Sequence, residues 1–326
     1  MKILVTGSMA YDTIMVFPDR FRNHLLADQL HILNVCFLTP EMRREFGGTA
    51  GNIAYNLKLL GEGSLLMATV GEDIGPYLER LRKLGIDDAL LKRVPGQFTA
   101  QAFITTDLDD NQITAFHPGA MNYSHENHIT PALKAGVAII GPDGKQGMLQ
   151  HARECAEHRI PFLFDPGQGL PMFSADELGE LVELADYVAV NDYEGKLLEE
   201  RTGRRLEELA PRVKALVCTL GGRGSLIYAD GQRHEIPCVA AEKVVDPTGC
   251  GDAYRAGLLH GIARGFDWPT TGRIGSLMGA IKIAHRGAQN HAPARDDIAA
   301  RFRRAFGYSP WKWPTQASGE SPPHIP

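Results

Sequence analysis

Short apolar runs alternate with helical patterns along most of this 326-residue chain. From about Gly136 onward, residues 137–140, 162–164, 187–190, 216–219 and 226–228 are short and apolar. Helical periodicity falls at about 146–158, 174–184, 192–201, 251–264, 270–285 and 294–305. This alternation predicts a mostly parallel sheet with helices on both faces, an α/β fold. In the first third, residues 3–5 and 65–70 suit the same sheet, with a helix at about 51–60 between them. Residues 13–17, 30–38, 100–105 and 112–116 are β-prone with no helix between them, and the turn-like Asp107-Leu-Asp-Asp-Asn111 joins the last two as a hairpin. They predict a small antiparallel sheet set apart from the main one.

Composition then limits the partners. At 44% hydrophobic, the chain can bury a sizeable core as one large α/β domain or two average ones. A formal net charge of −5 without a long basic run argues against nucleic acid or an anionic membrane as the main partner. Cys36, Cys155, Cys218, Cys238 and Cys250 form no CxxC pair, and several lie in apolar runs. That pattern predicts reduced thiols, a cytoplasmic location and no zinc site. The chain enters the strand-like Lys2-Ile-Leu-Val-Thr6 with no signal-peptide pattern, and no apolar run is long enough to span a membrane. From Ser309 the chain is rich in Pro and Ser, without periodicity, and reads as a tail that is mobile or laid over the surface.

The segment Asp246-Pro-Thr-Gly-Cys-Gly-Asp252 carries the most chemistry. Val244 and Val245 read as the end of an extended stretch, followed by a glycine turn and a helix opening near Gly251. Glycines bring bare N–H groups close to a ligand, and a helix N-terminus is a natural anion site. Asp252 beside it suits a general base that takes a proton from a hydroxyl attacking a phosphoryl group. Its plain alternative is a helix cap. Asp12, in Gly7-Ser-Met-Ala-Tyr-Asp12 after the first strand, suits a grip on two neighbouring sugar hydroxyls; a solvated loop carboxylate is the alternative. Gly47-Gly48-Thr-Ala-Gly51-Asn52 reads either as a ligand-approach loop or as an ordinary junction capped by Asn52.

Asn191-Asp-Tyr-Glu194 has capping-box spacing, and its Glu also suits water-mediated Mg²⁺ binding. Thr219-Leu-Gly221-Gly-Arg-Gly224 is a glycine hairpin or a nucleotide loop. No GxxxxGK[ST] occurs, so any use of ATP is not of the P-loop kind. His125-Glu-Asn-His128 lacks a third metal ligand.

In order along the chain, these segments resemble the ribokinase-like carbohydrate and nucleoside kinases, the PfkB family. The motifs are GG-x-x-x-N at Gly48 to Asn52, N-x-x-E at Asn191 to Glu194, T-x-G-x-x-G at Thr219 to Gly224, and D-x-x-G-x-G-D at Asp246 to Asp252. The likeness runs to about residue 305. It implies a three-layer fold with a mostly parallel central sheet and a small β-sheet lid. The kinase domain would span 1–308, with lid segments near 13–46 and 98–118 and a tail over 309–326.

By this resemblance Asp252 is the catalytic base and Gly249, Cys250 and Gly251 form the anion hole. Cys250 stands where Ala is commoner. Asn191, Thr219, Gly221 and Gly224 bind ATP, and Glu194 with Asn191 places Mg²⁺ through water. Asp246 and Thr248 match positions that adjoin a monovalent-cation (K⁺) site in some members. The stretches 42–52, 101–119 and 164–168 look most like adenosine kinase-like bacterial purine nucleoside kinases. They imply ATP-dependent phosphorylation of the 5′-hydroxyl of adenosine, inosine or guanosine. Asp12, Gly48 and Asn52 would hold the ribose. Phe37, Phe103 and Phe116 are candidates for stacking on the base, or fill the lid's own core. Strand alternation prevents all of them from facing the ligand. The alternatives are a kinase of ribose or fructose and a catalytically silent nucleoside-binding protein. Family lids serve as dimer clasps or monomer flaps, so a monomer and a homodimer both fit.

Overall fold

The computed structural model describes residues 1–25, 34–109 and 111–311. Its main sheet runs β13 (Gln232–Ile236), β12 (Ser225–Ala229), β11 (Ala215–Thr219), β10 (Tyr187–Asn191), β9 (Phe162–Phe164), β8 (Ala135–Ile140), β1 (Lys2–Thr6), β4 (Ser64–Val70) and β5 (Leu90–Arg93). β12 is antiparallel to both its neighbours, and all other pairings are parallel.

The apolar runs are strands because both faces are covered. Ile3 and Val5 of β1 enter a core with Ile53 and Leu57 of α1 (Thr49–Leu59), Leu81 of α2 (Gly75–Leu84), and Leu258 and Leu259 of α7 (Cys250–Arg264). Leu4 points the other way, into a core with Met148 of α3 (Lys145–Glu157), Leu181 of α4 (Ala175–Leu184) and Leu198 of α5 (Asp192–Thr202). A third cluster joins α8 (Trp268–Ile283) to α9 (Arg295–Phe306) through Leu277, Ile281, Ile298 and Phe302. A single turn, α6 (Leu206–Leu209), completes the α-helices of the described residues. None of these helices is long and apolar enough to cross a membrane.

The chain builds from β1 to β4 and β5 on one side, then returns to place β8 on the other. Strand order therefore reverses beside β1, and open α/β sheets bind ligands outside the carboxyl ends of strands at such a point.

The second sheet has the order β3 (Glu41–Gly47), β2 (Ala10–Val16), β6 (Ala100–Thr106) and β7 (Gln112–His117). Three details differ from the sequence expectations. The small sheet is not wholly antiparallel: β2 and β6 pair in parallel, because the chain between them crosses through β4, α2 and β5. Of the run 30–38, residues 30–33 lie outside the described residues and 34–38 form no strand; the strand is the charged Glu41–Gly47. Val244 and Val245 are not in a strand either, since the N–H groups of Val245 and Asp246 both bond the carbonyl of Ile283 at the end of α8.

The hairpin is present, with Asp107 Oδ1 accepting from the N–H groups of Asp109 and Asn111; residue 110 lies outside the described residues. The tail falls outside them beyond Trp311. Trp311 itself donates from Nε1 to His260 Nε2 at 2.8 Å and packs on Phe302.

Candidate active site

Helix α7 starts at Cys250 because Gly249 takes a left-handed conformation, φ +78°. A Cβ on Gly249 would sit 2.7 Å from the Cβ of Ala288, so a larger residue is excluded. The N–H of Cys250 returns to the carbonyl of Pro247. Those of Gly249 and Gly251 find no partner among the described residues. Free donors at the positive end of a helix can hold an anion. The Cys250 thiol is pushed up to about 11 by burial, so it is a small neutral side chain here rather than a nucleophile.

Asp252 lies in the first turn of α7, partly buried. Its Oδ2 accepts a hydrogen bond from Asn52 Nδ2 at 2.8 Å. Burial raises its carboxyl to about 6; the Asn52 bond opposes this, Asp165 adds to it, Arg255 opposes and Asp12 adds. A group with that value is ionised at neutral pH yet still basic enough to accept a proton.

Asn52 is held in one orientation. Its Oδ1 accepts from Gln289 Nε2 at 2.9 Å, that same nitrogen reaches Tyr77 Oη at 2.6 Å, and the Tyr77 hydroxyl donates to the carbonyl of Gly47. The amide's donor end is therefore aimed at the carboxylate. In front of α1, Gly48 has φ +85°, and a Cβ there would lie 2.6 Å from Met9 Cα and Ser8 O. The backbone junction at Gly48 tolerates no side chain.

Arg255, one turn beyond Asp252, is buried in α7. Its guanidinium makes two 3.1 Å bonds to Asp165 at the end of β9 and stands 3.8 Å from Glu194 Oε2. Glu194 and Asn191 form a true capping box on α5, with both bonds at 2.8 Å. The carboxyl of Glu194 is raised by burial and then by Asp165, with Arg255 opposing. Asn191 pairs in register with Thr219 of β11, so both stand at the carboxyl edge of the sheet. Behind Thr219, Gly221 has φ +57° and open space where a side chain would be. Gly224 has φ +90°, and a Cβ there would sit 2.1 Å from the carbonyl of Ile236.

Asp12 is the third residue of β2, on the lid, and not in a loop after β1 as its sequence position suggests. A Cβ on Gly47 would be 2.6 Å from its Oδ2. Burial raises its carboxyl to about 6, with Glu45 and Asp246 adding repulsion. Register separates the aromatic candidates. Asp12 pairs with Ala102, and Ala102 with Phe116, so Asp12 and Phe116 share a face of the lid. Phe103 pairs with Thr13 and Ala115 on the opposite face. Phe37 packs against Phe17 and Phe21, within the lid itself.

Thr248 N–H donates to Asp246 Oδ1 and Gly287 N–H to Oδ2, each at 2.8 Å. The carbonyl of Asp246 accepts from Lys282 Nζ at 2.7 Å.

The structure thus brings Asp252, Asn52, Glu194 and the 249–251 turn together with two residues that sequence reasoning missed, Asp165 and Arg255. Gln289 and Tyr77, which orient Asn52, were missed too. Arg255 has one visible sequence signal: a charge inside the apolar run that follows Asp252. Asp165 opens a Pro-Gly turn after a short apolar strand.

Residues 5–295 match the profile described as pfkB family carbohydrate kinase. A nucleoside kinase of Methanocaldococcus jannaschii is 33% identical over 273 residues, covering 83% of this chain and 90% of that protein. The solved structure of Burkholderia thailandensis nucleoside kinase in complex with inosine is 54% identical and superposes with a TM-score of 0.86, over 95% of this chain and 99% of that one. The same enzyme in complex with ADP-inosine superposes with a TM-score of 0.84 at 54% identity, over 98% and 100% of the two chains.

Proposed function

Because the chain belongs to the pfkB family of carbohydrate kinases and is an ATP-using nucleoside kinase within it, we propose that its acceptor is the 5′-hydroxyl of a purine ribonucleoside. The observation that carries this reading is the oriented Asn52–Asp252 pair beside the free N–H groups of Gly249 and Gly251. A base and an anion site side by side are what phosphoryl transfer to a hydroxyl requires. The purine assignment draws its support from the inosine and ADP-inosine complexes of the Burkholderia enzyme.

In this reading Asp12, Gly48 and Asn52 border the ribose, and Phe116 stacks on the base. Asp252 takes the 5′-hydroxyl proton as that oxygen attacks the γ-phosphorus. The N–H groups of the 249–251 turn stabilise charge on the transferred group. Asn191, Thr219, Gly221 and Gly224 border the donor nucleotide, and closure of the lid excludes water as a competing acceptor.

No three His, Cys, Asp or Glu side chains gather as a metal cage among the described residues. Mg²⁺ keeps several waters and takes one or two carboxylates plus phosphate oxygens, so it needs no such cage. Glu194 fits: its Oε2 is taken by the Asn191 N–H, and its Oε1 has no hydrogen bond among the described residues. Mg²⁺, when bound, would neutralise phosphate charge, and Glu194 and Asn191 are the residues that would hold it through water.

The test is turnover with ATP and Mg²⁺ on adenosine, inosine, guanosine, ribose and fructose. Purine nucleosides should lead in kcat/KM by a wide margin. A simple sugar that equals or beats them would overturn the acceptor assignment.

A further inference from the structure

A cation site at Asp246 and Thr248, implied by resemblance to some family members, does not fit this chain. The carbonyl of Asp246 is taken by Lys282 Nζ at 2.7 Å, and the same ammonium donates to the carbonyl of His285 at 3.1 Å. Both carboxylate oxygens of Asp246 are taken by backbone N–H groups. Lys282 is fully buried in the last turn of α8 and makes no ion pair among the described residues. A buried ammonium is costly unless fixed acceptors or negative charges compensate it. Main-chain carbonyls are the ligands that replace the hydration shell of K⁺. Here a covalently attached cation of the same charge holds two such carbonyls.

The position matters because of what the carbonyls belong to. Asp246 begins the turn that ends in the anion site. That turn is stitched to the end of α8 by the N–H groups of Val245 and Asp246 on Ile283 O, by Gly287 N–H on Asp246, and by Lys282. Cys250 and Asp252 lie within the field of the ammonium. The last turn of a helix, where carbonyls point outward, also favours a cation.

We propose that Lys282 is a tethered cation that holds the 246–251 turn in its phosphate-binding shape and makes the protein independent of monovalent metal ions. Lys282 is thus a positioning residue, and the proposal rests on the reading of that turn as the phosphate site.

The test exchanges KCl for NaCl or choline chloride at constant ionic strength, using the full chain. kcat, nucleoside KM, ADP affinity by calorimetry and Tm are measured in each salt. Phosphoryl transfer and ADP affinity should stay within about threefold across the salts, with no K⁺-specific rise in Tm. Lys282→Met should lower kcat about 10–100-fold with nucleoside KM little changed, as loss of an outer-shell partner does. Lys282→Ala should recover part of its rate in KCl but not in choline chloride.

A parent enzyme activated beyond that range by K⁺, or a K⁺-specific rise in its Tm, would overturn the proposal. So would a Lys282→Ala protein that is equally slow in every salt. If the variants do not fold, the salt exchange on the parent decides. If the parent transfers no phosphoryl group in any salt, the kinase reading fails, while ADP affinity and Tm still test the role of Lys282.

Discussion

Replacing Asp252 by Asn separates the proposed base from the pocket that holds it. Asn keeps the shape, and its amide oxygen can still accept the hydrogen bond from Asn52 Nδ2, which Gln289 holds in place. It cannot accept a proton. Loss of a general base costs ~10²–10⁴-fold in kcat, while nucleoside affinity should move by no more than a few-fold. Stability should change in the opposite direction. The carboxyl is raised on folding from 3.8 to about 6, mainly by burial. Its folded pKa lies above its unfolded one, so its contribution to stability is fully present below 3.8 and is lost as pH rises through about 6. Asn carries no such loss. After discounting for the part of the carboxyl open to water, the variant should be more stable than the parent at pH 8 by on the order of 1–2 kcal/mol, and about equal at pH 3.5. Urea denaturation at both pH values, calorimetric nucleoside binding and a coupled ADP-release assay read the three quantities. The parent's kcat/KM should fall as pH drops through about 6. That limb belongs to Asp252 and Asp12 jointly, since both are raised to that value. A variant with kcat within about tenfold of the parent would refute the assignment of the base.

Three other substitutions test the surroundings. Arg255→Met leaves Asp165 and Glu194 buried without their shared cation, and urea denaturation should show a loss of about 3–5 kcal/mol. Glu194→Gln keeps the capping box, because Gln can still accept from the Asn191 N–H, so Tm should hold while the Mg²⁺ concentration for half-maximal rate rises. An unchanged Mg²⁺ titration would confine Glu194 to capping. Phe116→Ala should raise nucleoside KM by loss of ~1–3 kcal/mol of stacking, whereas Phe103→Ala, on the opposite face of the lid, should leave KM alone. An equal effect of the two would sink the assignment of faces.

The elements that were legible in the sequence are those buried on both sides. β8, β9, β10 and β11 are continuous apolar runs because helices cover both faces of the sheet, and periodicity finds such runs directly. β3 and β13 escaped because they are edge strands, and Glu-Met-Arg-Arg-Glu-Phe-Gly and Gln-Arg-His-Glu-Ile carry the charges that solvent-facing edges tolerate. The parallel pairing of β2 with β6 escaped for a different reason. It depends on a crossover through the main sheet, which no local pattern records.

The site divides along a similar line. The 249–251 turn and the Asn191–Glu194 and Thr219–Gly224 segments are local, since each takes its shape from backbone turns and caps within a few residues. Asp165 and Arg255 act only as a pair, 90 residues apart in sequence. What the sequence does hold is half of each such pair. Helices α7 and α8 are buried nearly all round and show no clean polar stripe, so Arg255 and Lys282 stand inside otherwise apolar stretches. A charge in such a helix must find a compensating group, because leaving it unpaired in the interior costs more than the fold can spare. The compensating groups come from strand ends and turns, Asp165 after β9 and the carbonyl of Asp246 before α7. An interior charge on a buried helix is therefore a sequence-level signal for the site, and the same physics that makes it rare places its partner where the sheet's carboxyl edge meets the helix start.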